Sequence, residues 1–166
     1  GTKVATKYEI YEDVYFRPNT NIQSDKSTIN NISSVSTLLA SRAGSYLTTG
    51  VGYNFSIDRR DSKFNPTNGW SSYFDQNIAT LFSDIPTVQT GLGATFYHEL
   101  FSDKFIGSAR ARLANVVAFN NKDAKLSDRI YASSSDLRGF EVRGVGPVDS
   151  GDHIGGNNLA TLSLKS

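Results

Sequence analysis

Residues 46–58 read Tyr-Leu-Thr-Thr-Gly-Val-Gly-Tyr-Asn-Phe-Ser-Ile-Asp, and apolar side chains alternate along them with polar or small ones. Val51, Tyr53 and Phe55 fall on one side of an extended chain, and the intervening glycine and asparagine residues fall on the other. Successive side chains of a β-strand point to opposite faces, so this period of two indicates a strand with one apolar face. The stretch is much longer than the about 5–6 residues of an ordinary globular strand.

Similar alternation predicts five further strands, most of them long. The six predicted strands span residues 4–16, 46–59, 70–82, 90–101, 105–119 and 157–166. In the fifth strand, Ala111 and Leu113 face one way while Arg110 and Arg112 face the other, so one side of it needs a wet or acidic surface. Glu12 interrupts the alternation of the first strand, and the pattern offers no reason for the break.

The connections between the predicted strands alternate in length. Residues 17–45 and 120–156 form long loops, residues 83–89 form an intermediate one, and residues 60–69 and 102–104 form short turns. In a meander the longer loops fall at one end of the sheet and the short turns at the other, which is typical of outer-membrane barrels. We therefore predict an all-β fold, an antiparallel meander of about six long strands within a transmembrane β-barrel. A soluble β-sandwich binding module is the alternative, because alternation alone fits both.

Composition excludes several classes of function. The 166 residues include no Cys and two His, and 17 Lys and Arg residues nearly balance 16 Asp and Glu residues. There is thus no disulfide framework, no thiolate zinc site and no global field to attract nucleic acid. Asp75 and Glu99 form a conceivable carboxylate pair but have no companion nucleophile. The sequence predicts no catalytic residue, no metal and no cofactor.

Two short motifs are more specific than the strand pattern. The first lies in the loop 120–156, and long loops of this kind are usually functional. Its core residues are Leu137, Arg138, Gly139 and Phe140, followed by the glycines Gly144, Gly146, Gly155 and Gly156. The second motif is a turn that follows the charged strand end at residues 58–61, and its key residues are Pro66, Thr67 and Gly69.

In these motifs the chain resembles the bacterial surface antigen superfamily, to which the BamA-type outer-membrane β-barrel assembly factors belong. That family carries a Val/Leu-Arg-Gly-Phe motif at the tip of its sixth extracellular loop and a Pro-Thr-x-Gly periplasmic turn. Both are matched here, at residues 137–140 and 66–69. The resemblance runs through roughly residues 45–166 in order and spacing, whereas the first 44 residues match only in character.

The resemblance implies a 16-stranded barrel preceded by periplasmic POTRA domains. Residues 1–166 would then be a partial barrel domain from its middle-to-late part, without the POTRA domains. It also implies that the loop folds into the lumen, where Arg138 acts as a latch by pairing with a carboxylate from strands beyond this chain.

The implied function is that of a non-enzymatic insertase in the bacterial cell outer membrane. Its implied partners are outer-membrane lipids, unfolded outer-membrane protein clients and, in the intact complex, the lipoproteins of the assembly machinery. Within the superfamily, the alternative is a two-partner secretion transporter or a translocation-and-assembly barrel. Six strands are too few to close a barrel, so we expect the isolated segment to self-associate or to need detergent at its open edges.

Overall fold

The computed structural model describes residues 1–27, 44–79, 82–101, 105–120, 123–134, 136–137, 139–141 and 143–166. Ten strands lie in these ranges: β1 (Thr2–Ala5), β2 (Tyr8–Tyr11), β3 (Val14–Ser27), β4 (Gly44–Arg60), β5 (Gly69–Ala79), β6 (Thr87–Glu99), β7 (Ile106–Ala118), β8 (Val148–Asp149), β9 (Asp152–His153) and β10 (Asn158–Lys165). No helix in the described part of the chain has the length and apolar character needed to cross a membrane.

Eight of the strands form one sheet, in the order β1-β3-β4-β5-β6-β7-β10, with β2 also paired to β3. Every pairing in this sheet is antiparallel. From β3 to β10, each strand pairs with the next long strand along the chain, so the sheet is a meander of six long strands. The predicted all-β antiparallel meander is thereby confirmed.

The beginning of the chain differs from the prediction of one strand over residues 4–16 and a loop over 17–45, of which residues 28–43 lie outside the described residues. The chain instead reverses direction at Glu12-Asp13, and β3 continues through residues predicted as loop. Asp13 has a φ of 63°, and aspartate tolerates this left-handed region better than most non-glycine residues. The interruption at Glu12 is therefore the signature of a hairpin turn, which the alternation alone did not identify.

A second break separates β1 from β2, and Pro18 on the neighbouring strand explains it. The backbone N–H of Thr6 donates to the carbonyl oxygen of Pro18 at 3.2 Å, so the backbone of Pro18 faces this edge. The N–H and C=O groups of one residue point to the same side in an antiparallel ladder. Proline has no N–H to return the bond, so the ladder is interrupted opposite it.

The connection after β5 also departs from the predicted bounds. The strand predicted to reach residue 82 is described as far as Ala79, residues 80 and 81 lie outside the described residues, and Phe82, with a φ of 54°, is not in the strand. Next, β6 starts at Thr87, directly after Pro86, rather than at residue 90. The carbonyl oxygen of Pro86 accepts a hydrogen bond from the N–H of Phe119 at 3.0 Å, which extends the pairing of β6 with β7 by one residue.

The two faces of the sheet have different surroundings. One face is contacted by the segment between β7 and β10, through Thr48 and Arg112, and we call it the inner face. The buried core lies there, between the sheet and that segment, and consists of Ala79, Thr87, Val116 and Ala124. The opposite, outer face is uncovered and exposes large apolar side chains, including Val51, Phe55, Leu92, Leu113 and Val117.

Candidate functional site: the loop on the inner face

The segment of residues 123–156 is the candidate site, and we call it the inner loop. Its two ends are joined where Ile130 and Gly156 exchange backbone hydrogen bonds of 2.8 and 2.9 Å. Close to its C-terminal end it contains the hairpin of β8 and β9, each of two residues. The N–H of Val116 on β7 donates to the carbonyl oxygen of Asn157 at 2.8 Å, which fixes the base of the loop to the sheet.

Asp136 is the main attachment of the inner loop to the strand wall. One of its carboxylate oxygens, Oδ2, accepts a hydrogen bond of 2.7 Å from Nη1 of Arg112 on β7. The same oxygen accepts bonds from the N–H and the hydroxyl of Ser133, at 3.0 and 2.6 Å. The backbone oxygen of Asp136 accepts a 2.7 Å bond from the hydroxyl of Ser163 on β10. One residue thus joins the loop to two neighbouring strands.

The local sequence explains why Asp136 takes this position. The N–H groups of Asp136 and Leu137 both donate to the carbonyl oxygen of Ser133, at 2.9 and 3.0 Å, which closes a single tight turn. Serine and aspartate favour such turns because their side chains bond to nearby backbone groups. The turn presents the carboxylate to Arg112, so the ion pair is prepared by the loop's own backbone.

Electrostatics at Asp136 favour the charged carboxylate. Burial alone raises the pKa of Asp136, but the hydrogen bonds from Ser133 and Arg112 outweigh it and hold the pKa below its ordinary value. The Asp136 side chain is 1% exposed and that of Arg112 is 27% exposed. The pair is therefore more shielded than a surface salt bridge, although water still reaches the arginine.

A second attachment lies at the opposite end of the loop, where Lys125 reaches β4. Its ammonium group donates to the hydroxyl of Thr48, and the lysine is 4% exposed. Asp128 lies 3.9 Å from the ammonium nitrogen, and the ring of Tyr46 is centred 5.6 Å away. Burial raises the pKa of Asp128, and the charge of Lys125 opposes this rise. The loop thus spans the inner face from β10 to β4.

The predicted latch residues lie just beyond Asp136. Arg138 lies outside the described residues, so its contacts stay a prediction. Leu137 is half-buried, whereas Phe140 is 61% exposed at the loop surface. Further along, Arg143 stacks over the ring of Tyr131, 4.9 Å from its centroid.

The predicted supporting glycines differ in their surroundings. Gly139 and Gly146 have φ values of 85° and 134° in open space, while Gly144 and Gly156 have ordinary backbone angles. Gly155 has a φ of 68°, and a Cβ on it would lie 2.7 Å from Cζ of Tyr131. A side chain there would both strain the backbone and displace the ring. Gly144 also has a packing reason, because a Cβ on it would lie 2.9 Å from Cβ of Glu141, whereas Gly155 combines a close contact with a positive φ.

The predicted turn at residues 66–69 is organised by Asp61, the last residue of the charged strand end at residues 58–61. Asp61 accepts bonds from the N–H groups of Ser62 and Thr67, and also from the hydroxyl of Thr67. The Thr67 hydroxyl is the largest cause of the lowered pKa of Asp61, about 2. Pro66 is half-buried, and Gly69, with a φ of 101°, leads into β5 where a Cβ would overlap the carbonyl oxygen of Arg59.

No group of three or more His, Asp or Glu side chains in the described ranges is arranged to hold a metal ion. The contacts of Asp136 and Lys125 attach the inner loop to the inner face of the sheet by charge and hydrogen bonds. Their geometry is that of a structural attachment.

Comparison with known proteins identifies the family. The Omp85 superfamily domain matches residues 1–166. The chain belongs to the Omp85 superfamily. Among solved structures, BamA from Haemophilus ducreyi lacking POTRA domains 1–3 superposes with a TM-score of 0.84 at 18% identity, over 98% of this chain and 35% of that one. At this identity the match shows the fold, a part of an outer-membrane β-barrel.

Curated relatives agree with the Omp85 assignment. The outer membrane protein assembly factor BamA of Neorickettsia risticii is 24% identical over 119 residues, 70% of this chain and 16% of that protein. A SAM50-like protein of Schizosaccharomyces pombe is 30% identical over 129 residues, 74% of this chain and 27% of that protein. The sorting assembly machinery 50 kDa subunit of Saccharomyces cerevisiae is 27% identical over 131 residues, 76% of this chain and 26% of that protein. The chain thus spans roughly a sixth to a quarter of these relatives.

Membership in the Omp85 superfamily assigns the two faces of the sheet. In outer-membrane barrels an apolar face such as the outer face contacts lipid, and the opposite face lines the lumen. A soluble β-sandwich is not favoured, because a sandwich needs two packed sheets. The described residues of this Omp85 chain form one large sheet and one small two-stranded hairpin.

Proposed function

We propose that the protein containing this segment is a BamA-type insertase that folds β-barrel proteins into an outer membrane. The observation that carries the proposal is the inner loop, which bears the Leu-Arg-Gly-Phe motif and is held against the lumen wall by Asp136 and Lys125. Support also comes from the superfamily and from relatives named as assembly factors or sorting machinery. Those names favour an assembly factor over a two-partner secretion transporter.

In this proposal the inner loop is a structural latch and not a catalytic group. Asp136 brings the loop to the wall two residues before Arg138. Arg138 then pairs with a carboxylate from strands beyond this chain, which its planar guanidinium can bind through two parallel hydrogen bonds. The two contacts, one acidic and one basic, would hold the motif at a defined depth in the lumen.

The proposed partners follow from the same reading. Lipids of the outer membrane cover the outer face, unfolded outer-membrane proteins are the clients, and assembly-machinery lipoproteins join the intact complex. In this proposal the role is non-enzymatic and uses neither nucleotide nor metal. We place the protein in a bacterial outer membrane, although relatives occur in fungi and cattle as well as in bacteria.

The test is a client-insertion assay with the full-length protein in lipid vesicles. Arg138→Ala should reduce the rate at which a client barrel becomes protease-resistant, because the proposed acidic partner would be left unpaired. Arg138→Lys should rescue only part of the rate, since lysine supplies charge without the fork. The matched control is Arg143→Ala in the same loop, where the arginine is exposed and stacked on Tyr131.

Two outcomes would contradict the proposal at different levels. Equal, near-normal rates for the two alanine variants would remove the latch role of Arg138 and leave the insertase proposal standing. A wild-type protein that inserts no client above the level of empty vesicles would contradict the insertase function itself.

A further inference from the structure

A row of polar side chains crosses the lipid-facing side of the sheet. The five residues are Tyr53 on β4, Gln76 on β5, Thr90 on β6, Asn115 on β7 and Asn158 on β10. Each is the direct register partner of the next. Register partners share a face, and Tyr53 lies on the same face as Val51 and Phe55. We call these five side chains the polar row.

Members of the polar row are hydrogen-bonded to one another. The hydroxyl of Tyr53 donates to Oε1 of Gln76 at 2.7 Å, and Nε2 of Gln76 lies 3.3 Å from the hydroxyl of Thr90. On the neighbouring strands, Nδ2 of Asn115 donates to Oδ1 of Asn158 at 2.6 Å. The row therefore consists of two hydrogen-bonded groups, one on β4 to β6 and one on β7 and β10, and is not a scatter of single polar residues.

On β4 to β7 the polar row lies between two apolar rows, whereas Asn158 is the first residue of β10. The next outward-facing register row towards the short turns is apolar, and its residues are Phe55, Phe74, Leu92 and Leu113. The next row in the other direction is also apolar, and its residues are Val51, Ile78, Val88 and Val117. Each row is two residues, roughly 7 Å, from the next along a strand. On these four strands the polar row is therefore flanked by apolar side chains along the strand in both directions.

The bonds within the row leave part of its hydrogen-bonding capacity unused. Each amide side chain offers two N–H donors and an acceptor oxygen. Gln76 uses one donor and its acceptor, Asn115 uses one donor, and Asn158 uses its acceptor. The side chains of these three residues form no other hydrogen bond with a described residue. In hydrocarbon, an unpaired polar group costs a few kcal/mol, so the remaining groups need a polar occupant.

We propose that the polar row binds polar groups of membrane lipids, the ester carbonyl and phosphate oxygens, drawn down into the apolar band on this flank of the barrel. The row has amide N–H donors but no acidic or basic side chain, which suits uncharged carbonyl acceptors and the oxygens of a phosphodiester. The inference depends on the membrane placement of the fold and not on the insertase function.

The test measures solvation beside the row in the full-length protein, reconstituted in vesicles of phosphatidylcholine and phosphatidylglycerol. Residues 1–166 contain no cysteine, so single Val88→Cys, Thr90→Cys and Leu92→Cys variants, made after any cysteine elsewhere in the full-length protein is replaced by serine, can each carry a nitroxide. These positions lie on one strand and one face. The measurement is the accessibility of each nitroxide to a polar nickel chelate and to oxygen, together with its effect on phosphorus relaxation of the lipids.

We expect a local maximum at residue 90. Nickel accessibility and phosphorus relaxation should both be several-fold higher there than at residues 88 and 92. Gln76→Leu combined with Asn115→Leu should lower both signals at residue 90 to the level of residue 92. The control is Gln89→Leu, a similar change one residue away on the inner face, which should leave both signals unchanged.

Three results would overturn the inference. The first is a nickel accessibility that changes steadily from residue 88 to residue 92. The second is a maximum at residue 90 that is unaffected by the leucine pair. The third is nickel access without phosphorus relaxation, which means that water alone occupies the row. If the leucine pair does not fold, judged by circular dichroism, the profile across the three single-cysteine variants decides the question.

Discussion

Removing the Asp136 carboxylate should release the inner loop from the lumen wall. Asp136→Ala deletes the acceptor of three hydrogen bonds, one of them from the Arg112 guanidinium at 2.7 Å. A hydrogen bond to a charged group contributes about 1.5–3 kcal/mol to stability, and the bonds from the N–H and the hydroxyl of Ser133 add to the contribution of the Arg112 bond. Because Arg112 and Ser133 both reach solvent and regain water, we expect a total loss of about 2–3 kcal/mol in loop docking.

The assay is amide hydrogen exchange at residues 136 and 137, whose N–H groups both donate to Ser133. A loss of about 2–3 kcal/mol corresponds to exchange that is about 30- to 150-fold faster, if the loop exchanges through local opening. Asp136→Asn should fall between wild type and alanine, because the amide oxygen can still accept but carries no charge. Arg112→Gln should also accelerate exchange, and combining it with Asp136→Ala should add little further.

Glu141→Ala is the matched control for Asp136→Ala. It removes a carboxylate from the same loop, but Glu141 is exposed. Its variant should leave the exchange of both amides close to that of wild type. If Asp136→Ala changes exchange no more than Glu141→Ala does, the ion pair with Arg112 is not what holds the loop, and the reasoning fails.

Three further predictions concern the loop and the turn. The pKa of Asp136 in the folded protein lies below the ordinary value of 3.8. Its contribution to the stability of loop docking is therefore complete above pH 3.8 and is lost as the pH falls below that value. Proteolysis of the loop should accelerate in that acidic range in the wild type, and a proteolysis rate that does not change with pH would contradict this. Lys125→Met should speed exchange at residue 130 because Thr48 and Asp128 lose their cationic partner, and unchanged exchange would contradict the anchor. Gly69→Ala should destabilise the barrel by about 1–3 kcal/mol in urea unfolding, because of its φ of 101°; a smaller loss would mean that the turn relaxes.

The fold was largely predictable because membrane-crossing strands have a simple period. Where the period failed, a local backbone effect was responsible. Glu12 marks a turn and Pro18 interrupts a ladder, and both effects depend on which strands are neighbours. Alternation along one strand carries no information about its neighbour, so the hairpin of β2 and β3 was predicted as a single strand.

The candidate site was less predictable, for a different reason. Arg112 was recognised as a residue in need of an acidic surface, but Asp136, which supplies it, lies 24 residues away in a loop without periodicity. No sequence pattern identifies Lys125 as an attachment point. Its partner Thr48 lies on the polar face of a strand, and the alternation does not show which loop residue contacts that face. Such contacts depend on the path of the loop over the sheet, which a hydrophobic pattern does not encode.

The long reach of Lys125 has a consequence for the order of folding. Its contact with Thr48 joins residues 77 positions apart, whereas the sheet is built mainly from hairpins of consecutive strands. Closing a long loop is entropically costly before other contacts exist, so the hairpins should zip first and the lysine should dock last. Interactions that form after the transition state affect mainly the unfolding rate. Lys125→Met should therefore shorten the lifetime of the folded barrel and leave its refolding rate nearly unchanged, and slower refolding in a denaturant-jump experiment would place the loop in the folding nucleus instead.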